Sequence, residues 1–305
     1  MAGWKRVVLI VLAVVAVIGG GGYYWFIVES HAPADGHFAL DMEEIRRLAD
    51  TKPGDKVVEV DAQQVAAFSF PLTAVVAGGG WKRVEIPVFS YRLVFPDGRT
   101  AIVDTALDDK LGGSNLASFD KAAFDRMSAA LHKASLILIT HEHMDHIGGL
   151  TEQPDVKSLL PETVLTQEQV DHPERSVPAA FPAGALDGYK PLVYDHYLAV
   201  APGIVLIKTP GHSPGSQMVY VRKADGTEIL FIGDVAWQFA NIDLVRERAR
   251  LVTQFMLKED RAAVFAQLQE LHRLHEAEPG IHIVPGHDGA TVAALEQAGV
   301  IKAGF

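Results

Sequence analysis

The run Thr140-His141-Glu142-His143-Met144-Asp145-His146-Ile147-Gly148-Gly149 constrains this chain more than any other stretch. Four side chains able to bind a metal, His141, His143, Asp145 and His146, stand within six positions, directly after the apolar run Leu136–Ile139. A short apolar run with polar flanks reads as a buried strand. The fold must therefore bury a strand and still open its C-terminal end onto a cluster of imidazoles and a carboxylate. His141 and His143 are two apart and share a side only in extended or loop backbone, which argues against a helix there. The zinc-protease helix H-E-x-x-H does not fit, because Asp145 stands where its second histidine belongs. Imidazole with carboxylate favours zinc or a similar first-row ion.

Composition narrows the site further. The 305 residues include no cysteine, so disulfides and thiolate sites are excluded and any metal must be held by His and carboxylates. A formal charge of −11 argues against a nucleic-acid surface, which needs a basic patch.

Residues 7–28 carry no charge. As a helix they would span about 33 Å, enough for a bilayer core. Lys5 and Arg6 precede them, and Glu29, His31 and Asp35 follow. That bias keeps the N-terminus in the cytoplasm and places the rest on the periplasmic or extracellular side. Tyr23, Tyr24 and Trp25 fit an interfacial belt, and the glycine quartet 19–22 would be costly in a water-soluble helix. The rival reading is a cleaved signal peptide with Ala32-Pro33-Ala34 as its small-residue site; the length of the apolar stretch favours an uncleaved anchor.

Residues 1–28 are thus expected as a membrane anchor, 29–56 as a linker with one short helix at Met42–Ala49, and 57–305 as the catalytic domain. Short strands are predicted at Val57–Val60, Val65–Phe70, Val84–Ile86, Val88–Phe95, Thr100–Val103 and Leu136–Ile139. Further strands are predicted at Ile204–Lys208, Met218–Val221, Ile229–Ile232 and Ile281–Val284. Helices are predicted at Phe119–His132, Ile242–Leu251, Asp260–His275 and Thr291–Ala298. Strands and helices in both halves favour an α/β architecture of two sheets face to face, helices outside, and one site at the shared edge.

Three later residues share the context of the first run. His212 follows strand Ile204–Lys208 in Thr209-Pro-Gly-His212, Asp234 follows Ile229–Ile232 in Gly233-Asp234, and His287 follows Ile281–Val284 in Pro285-Gly-His287. Each lies just past a strand end beside a glycine, where ligands sit in α/β folds.

With these motifs in place, the chain resembles the metallo-β-lactamase superfamily over most of residues 65–305. The resemblance includes Ile102-Val-Asp104-Thr105, with Ala106 where the family usually has Gly. It implies a four-layer αβ/βα sandwich. It also implies one metal on His141, His143 and His212, a second on Asp145, His146 and His287, and Asp234 bridging both. His143 stands where the di-iron relatives carry Glu, which favours two zinc ions per chain over iron or manganese. The implied chemistry is attack by a hydroxide held between the metals, with Asp145 orienting it and moving its proton. Asp104 is a candidate acceptor for a ligand His N–H, or simply a strand-end cap.

The nearer resemblance is to the N-acyl homoserine lactonases, through Glu85–Tyr91 and the interval of 22 residues from His212 to Asp234. Those enzymes carry a Tyr three residues after the bridging Asp; here the position is Trp237, whose indole donates a hydrogen bond but is no phenolic acid. Trp237 reads foremost as wall packing, with Tyr189, Tyr194 or Tyr197 as stand-ins from other loops. Phe68, Phe70, Trp237, Phe239, Phe255 and Met256 are candidates for an acyl-accepting pocket. The implied activity is hydrolysis of a small-molecule lactone or other carboxylic ester. β-Lactam or thioester hydrolysis and iron-dependent oxidoreduction are the alternatives. Oligomeric state is left open.

Overall fold

A computed structural model of the chain describes residues 2–31, 33 and 36–305, so Ala32 and Ala34 of the small-residue site and the flanking Asp35 lie outside the described residues. Twelve strands among these form two sheets. The first contains β1 (Glu59–Pro71), β2 (Arg83–Val94), β3 (Thr100–Val103), β4 (Leu116–Phe119), β5 (Leu136–Leu138), β6 (Thr163–Val164) and β12 (Lys302–Ala303). Its order is β12-β1-β2-β3-β5-β6, with β4 on β1. The second contains β7 (Tyr197–Ala201), β8 (Ile204–Lys208), β9 (Gln217–Arg222), β10 (Glu228–Phe231) and β11 (Ile281–Val284), in the order β11-β10-β9-β8-β7.

Side-chain alternation decides the layering. Phe89, Tyr91 and Leu93 of β2, Leu206 of β8, Val219 and Val221 of β9, and Ile229 and Phe231 of β10 fill the core between the sheets. The intervening residues point outward. Ile86 and Val88 of β2, Ile102 of β3 and Ile137 of β5 pack beneath the helix Lys121–Leu131, through Met127 and Leu131. Val205 and Ile207 of β8, Met218 and Tyr220 of β9, and Leu230 of β10 pack beneath the helices Met42–Ala49 and Arg261–Ala277. The result is the expected four-layer αβ/βα sandwich.

Several helices begin where an aspartate can cap them. Asp41 accepts from Glu44 N, Asp120 from Ala123 N, and Asp260 from Ala262 N and Ala263 N. The helix Met42–Ala49 carries Glu43 and Glu44 in its first turn and Arg46 and Arg47 in its last, complementing its dipole. It buries Met42, Ile45 and Ala49 against the second sheet, so the stretch expected as a linker contributes to an outer layer.

Four expectations about elements are corrected. Val60 and Val65–Phe70 belong to one long strand, β1, which starts at Glu59, leaves Val57 and Val58 before it, and crosses its polar middle by a bulge between Gln64 and Ala66. Val84–Ile86 and Val88–Phe95 are likewise one strand, β2. Pro87 is tolerated there because β3 pairs only with Tyr91–Val94 and leaves that side of Pro87 without a partner strand. Phe119 belongs to β4, and the helix after it starts at Lys121. The helix expected over Ile242–Leu251 is instead Phe239–Asp243; Val245 then takes a left-handed φ of 47°, and Leu251–Met256 forms a separate π-helix.

The N-terminal helix Ala2–Tyr23 continues as a π-turn over Tyr24–Val28. It is long and apolar enough to cross a membrane, and no part of its apolar window is buried by the rest of the chain.

Candidate metal centre

All the candidate ligands collect at one edge of the sandwich, where β3, β5, β8, β10 and β11 end. The run after β5 is split between two kinds of backbone. His141 to His143 are loop, and a helix begins at Met144 and carries Asp145 and His146 in its first turn. That helix rests on the loop Asp104–Ala106. Thr105 N donates to His146 O (2.7 Å), Gly149 N donates to Ala106 O (2.9 Å), and Leu150 N donates to Thr105 Oγ1 (3.0 Å). A Cβ on Gly149 would run into the carbonyl oxygen of Thr105, which explains the glycine pair of the motif. Asp104 and Ala106 adopt left-handed φ values of 58° and 53°, a conformation that costs a residue with a Cβ. The departure from Gly at Ala106 therefore leaves backbone strain beside the site.

The seven candidate ligands form two groups. His141, His143, His212 and Asp234 offer ligand atoms within 4.8 Å of one another, and so do Asp145, His146 and His287. The Asp234 carboxylate lies between them. Its Oδ2 is 3.4 Å from His212 Nε2 and 3.8 Å from His141 Nε2. Its Oδ1 is 3.1 Å from His287 Nε2 and 3.3 Å from His146 Nε2. A Cβ on Gly286 would collide with Oδ1, so that glycine makes room for the carboxylate.

The opposite ring nitrogens face fixed partners. His146 Nδ1 lies 2.8 Å from Asp104 Oδ2, His287 Nδ1 2.8 Å from Pro87 O, and His212 Nδ1 2.6 Å from Glu259 Oε1. Each partner is an acceptor, so the Nδ1–H donates outward and the Nε2 lone pair points inward. Burial holds His141 well below the usual imidazole range and pushes His143 and His212 down to about 3, leaving all three neutral. His146 and His287 are buried too, yet Asp104 and Asp234 raise the first and Asp234 the second. His141 Nε2 and Asp234 Oδ1 are buried with no hydrogen-bond partner. Inward lone pairs around a buried carboxylate with orphaned atoms suit a bound cation, since such groups are costly to bury unpaired.

Asp104 does more than cap a strand. Its carboxylate accepts from Thr140 N (2.7 Å) and Thr140 Oγ1 (2.8 Å) as well as facing His146. Trp237 lines the cavity, and its Nε1 donates to Asp234 Oδ2 at 2.6 Å, so wall packing describes only half of it. Among the described residues no tyrosine substitutes at the site. Tyr189 bonds Thr163 O, Tyr194 bonds Gln217, and Tyr197 bonds the backbone near Asp41, all away from the cavity.

Three participants escaped sequence reading. Glu259 pairs with Arg248, whose guanidinium lies 5.1 Å from the centroid of the Trp237 ring; burial pushes the Glu259 carboxyl up and Arg248 opposes it. Glu259, Arg248 and Trp237 thus brace His212 and Asp234 from behind. Glu142, the non-ligand acid of the run, accepts from Ser213 Oγ (2.8 Å) and Gly215 N (3.2 Å), clamping the loop that carries His212.

A cavity of about 970 Å³ opens onto His143, Asp145, Asp234 and His287, with Phe68, Phe70, Trp237 and Met256 in its walls. Phe239 and Phe255 are not among its lining residues: Phe239 packs on His275, and Phe255 on Phe26.

Residues 83–293 match the metallo-beta-lactamase superfamily. None of the curated proteins compared matches the chain. Solved structures share the fold. An N-acyl homoserine lactone hydrolase with N-hexanoyl-L-homoserine bound at its catalytic metal centre is 18% identical, with a TM-score of 0.59 over 78% of this chain and 96% of its own. AidC, a dizinc quorum-quenching lactonase, is 12% identical, with a TM-score of 0.54 over 77% and 90%. A probable metal-dependent hydrolase from Staphylococcus aureus is 14% identical, with a TM-score of 0.56 over 76% and 91%.

Proposed function

The chain belongs to the metallo-beta-lactamase superfamily as a metal-dependent hydrolase, and from that footing we propose that it is a membrane-anchored dizinc enzyme that cleaves a lactone or other carboxylic ester. The observation that carries the two-metal reading is the Asp234 carboxylate, which turns one oxygen to His141 and His212 and the other to His146 and His287. On this reading His141, His143 and His212 hold one ion, Asp145, His146 and His287 hold the other, and Asp234 serves both. Bound there, zinc would supply an acidified water and a Lewis-acidic face for the ester carbonyl.

The chain's own residues supply the rest. Asp145 is the ligand carboxylate with the most open side chain, and it faces the cavity. It is placed to accept the proton of the attacking water and return it to the leaving oxygen. Trp237 and Glu259 hold Asp234 and His212 in place. Phe68, Phe70 and Met256 give the cavity an apolar wall that suits an acyl chain. The lactonases of the same fold, one with the product N-hexanoyl-L-homoserine at its catalytic metal centre, support this substrate class. The charge bias around the N-terminal helix supports a catalytic domain on the periplasmic or extracellular side.

The test is a substrate panel of lactones, simple esters, thioesters, β-lactams and phosphodiesters, run on protein whose metal content is measured without added metal. Zinc together with lactone or ester turnover is expected. Turnover confined to phosphodiesters would overturn the substrate reading, and iron without zinc would overturn the metal.

A further inference from the structure

The N-terminal helix does not leave the catalytic domain as a free tether. Its last turn is fixed beside the metal cavity. Glu29, buried, pairs with Arg250 and lies 4.0 Å from Arg261. Gly78 N donates to Ile27 O (2.9 Å), Arg246 donates to Val28 O (2.6 Å), and Arg250 Nε donates to Trp25 O (3.3 Å) with its guanidinium 4.0 Å from the Trp25 ring centroid. Two aromatic contacts extend the junction, Tyr23 on Trp81 at 6.4 Å and Phe26 on Phe255 at 5.9 Å between centroids.

The residues that receive the helix are unusual for a water-facing surface. Trp81, Leu251, Phe255 and Met256 are each at least half exposed. Exposed Lys82 and Arg83 follow Trp81 directly. Aromatics with neighbouring cations at the end of an apolar span are the composition of a membrane interface. Leu251, Phe255 and Met256 belong to one π-turn, and that turn runs straight into the cavity wall, where Met256, Leu257 and Lys258 stand opposite the metal ligands. One short segment therefore joins the end of the membrane-length helix to the mouth of the site.

We infer that Trp81 and the turn Leu251–Met256 sit in the lipid headgroup region, so that the cavity opens at the bilayer surface and takes its substrate from the membrane. The substrate class is then an amphiphilic carboxylic ester or lactone, whose acyl chain stays in lipid while its carbonyl passes Met256 to the metals. The substrate assignment rests on the ester-hydrolase reading above, and the surface contact rests on the membrane-anchor reading alone. Lipid is favoured over a protein partner because the exposed patch is continuous with the anchor itself, and a helix fixed by Glu29 leaves the patch no route away from the bilayer.

Because the chain has no cysteine, single labels can be placed cleanly. Full-length Leu251→Cys, Phe255→Cys and Asp97→Cys, the last in the turn between β2 and β3 at the opposite end of the sandwich, would be labelled with bimane in phosphatidylcholine/phosphatidylglycerol vesicles. Brominated lipid should quench positions 251 and 255 and leave 97 bright. Unquenched labels at 251 and 255 overturn the contact. The variant Trp81→Ser/Leu251→Ser/Phe255→Ser should lose at least about tenfold on methylumbelliferyl palmitate dissolved in the vesicles, with methylumbelliferyl butyrate within about twofold of the parent. Equal effects on both esters, or none on either, overturn entry from the membrane. If the parent hydrolyses neither these esters nor any lactone while the labels are quenched, it is the ester reading that fails and the lipid contact that stands.

Discussion

The two oxygens of Asp234 face different partners, and the consequences can be measured one residue at a time. Oδ2 accepts the indole N–H of Trp237 at 2.6 Å. Trp237→Phe keeps an aromatic ring near Arg248 but removes the indole donor and part of a buried ring, so we expect kcat to fall about 10- to 100-fold and the melting midpoint to drop as well. Steady-state kinetics with a melting curve checks this, and unaltered kcat would reduce Trp237 to packing. Glu259→Gln keeps the size of the side chain but removes the charge that faces His212 Nδ1 and Arg248. Zinc titration of that variant should show about 10- to 100-fold weaker binding. The seven candidate ligands were visible in the sequence because four crowd into one run after a strand and the other three each stand beside glycine at a strand end. Glu259 was invisible: it lies 47 residues from His212 in an irregular segment, and only the folded chain brings the two together. The indole–carboxylate bond was hidden for another reason, since a spacing of three does not fix which way a ring points.

At the scale of elements, the helix that carries Asp145 and His146 is positioned by its seat on Asp104–Ala106. Gly149→Ala would push a methyl group into the Thr105 carbonyl, and such overpacking costs about 1–3 kcal/mol. An unfolding free energy lowered by that amount in denaturant titration, together with weaker zinc binding, is expected; an unchanged value would mean that the helix can shift freely on its seat. The sequence showed the strand before the run and not the helix after it, because the two-residue spacing of His141 and His143 reflects only the loop half. It also divided β1 and β2 into pieces. A polar Gln63–Gln64 pair and Pro87 look like breaks when pairing partners are unknown, yet a bulge absorbs the first and a one-sided stretch of strand tolerates the second. The strands β8, β9 and β10 were legible because both of their faces are buried, so each reads as a nearly continuous apolar run.

At the scale of the whole molecule, the N-terminal helix, the turn Leu251–Met256 and the cavity form one continuous structure, held by Glu29 at one end and by Glu259 at the other. The anchored orientation predicts that a reporter active only in the periplasm, fused after Phe305, is active; a signal from a cytoplasm-only reporter would reverse the topology. The seven ligands centred on Asp234 would hold two zinc ions, and the loaded site would hydrolyse a lactone or other carboxylic ester. Zinc titration of the metal-stripped full chain, with hydrolysis of an N-acyl homoserine lactone as readout, tests this most directly. Activity should rise with zinc and level off at about two ions per chain, as the two ligand groups require. A plateau at one ion, or no hydrolysis of that lactone or of any other lactone or ester at any zinc loading, would contradict it.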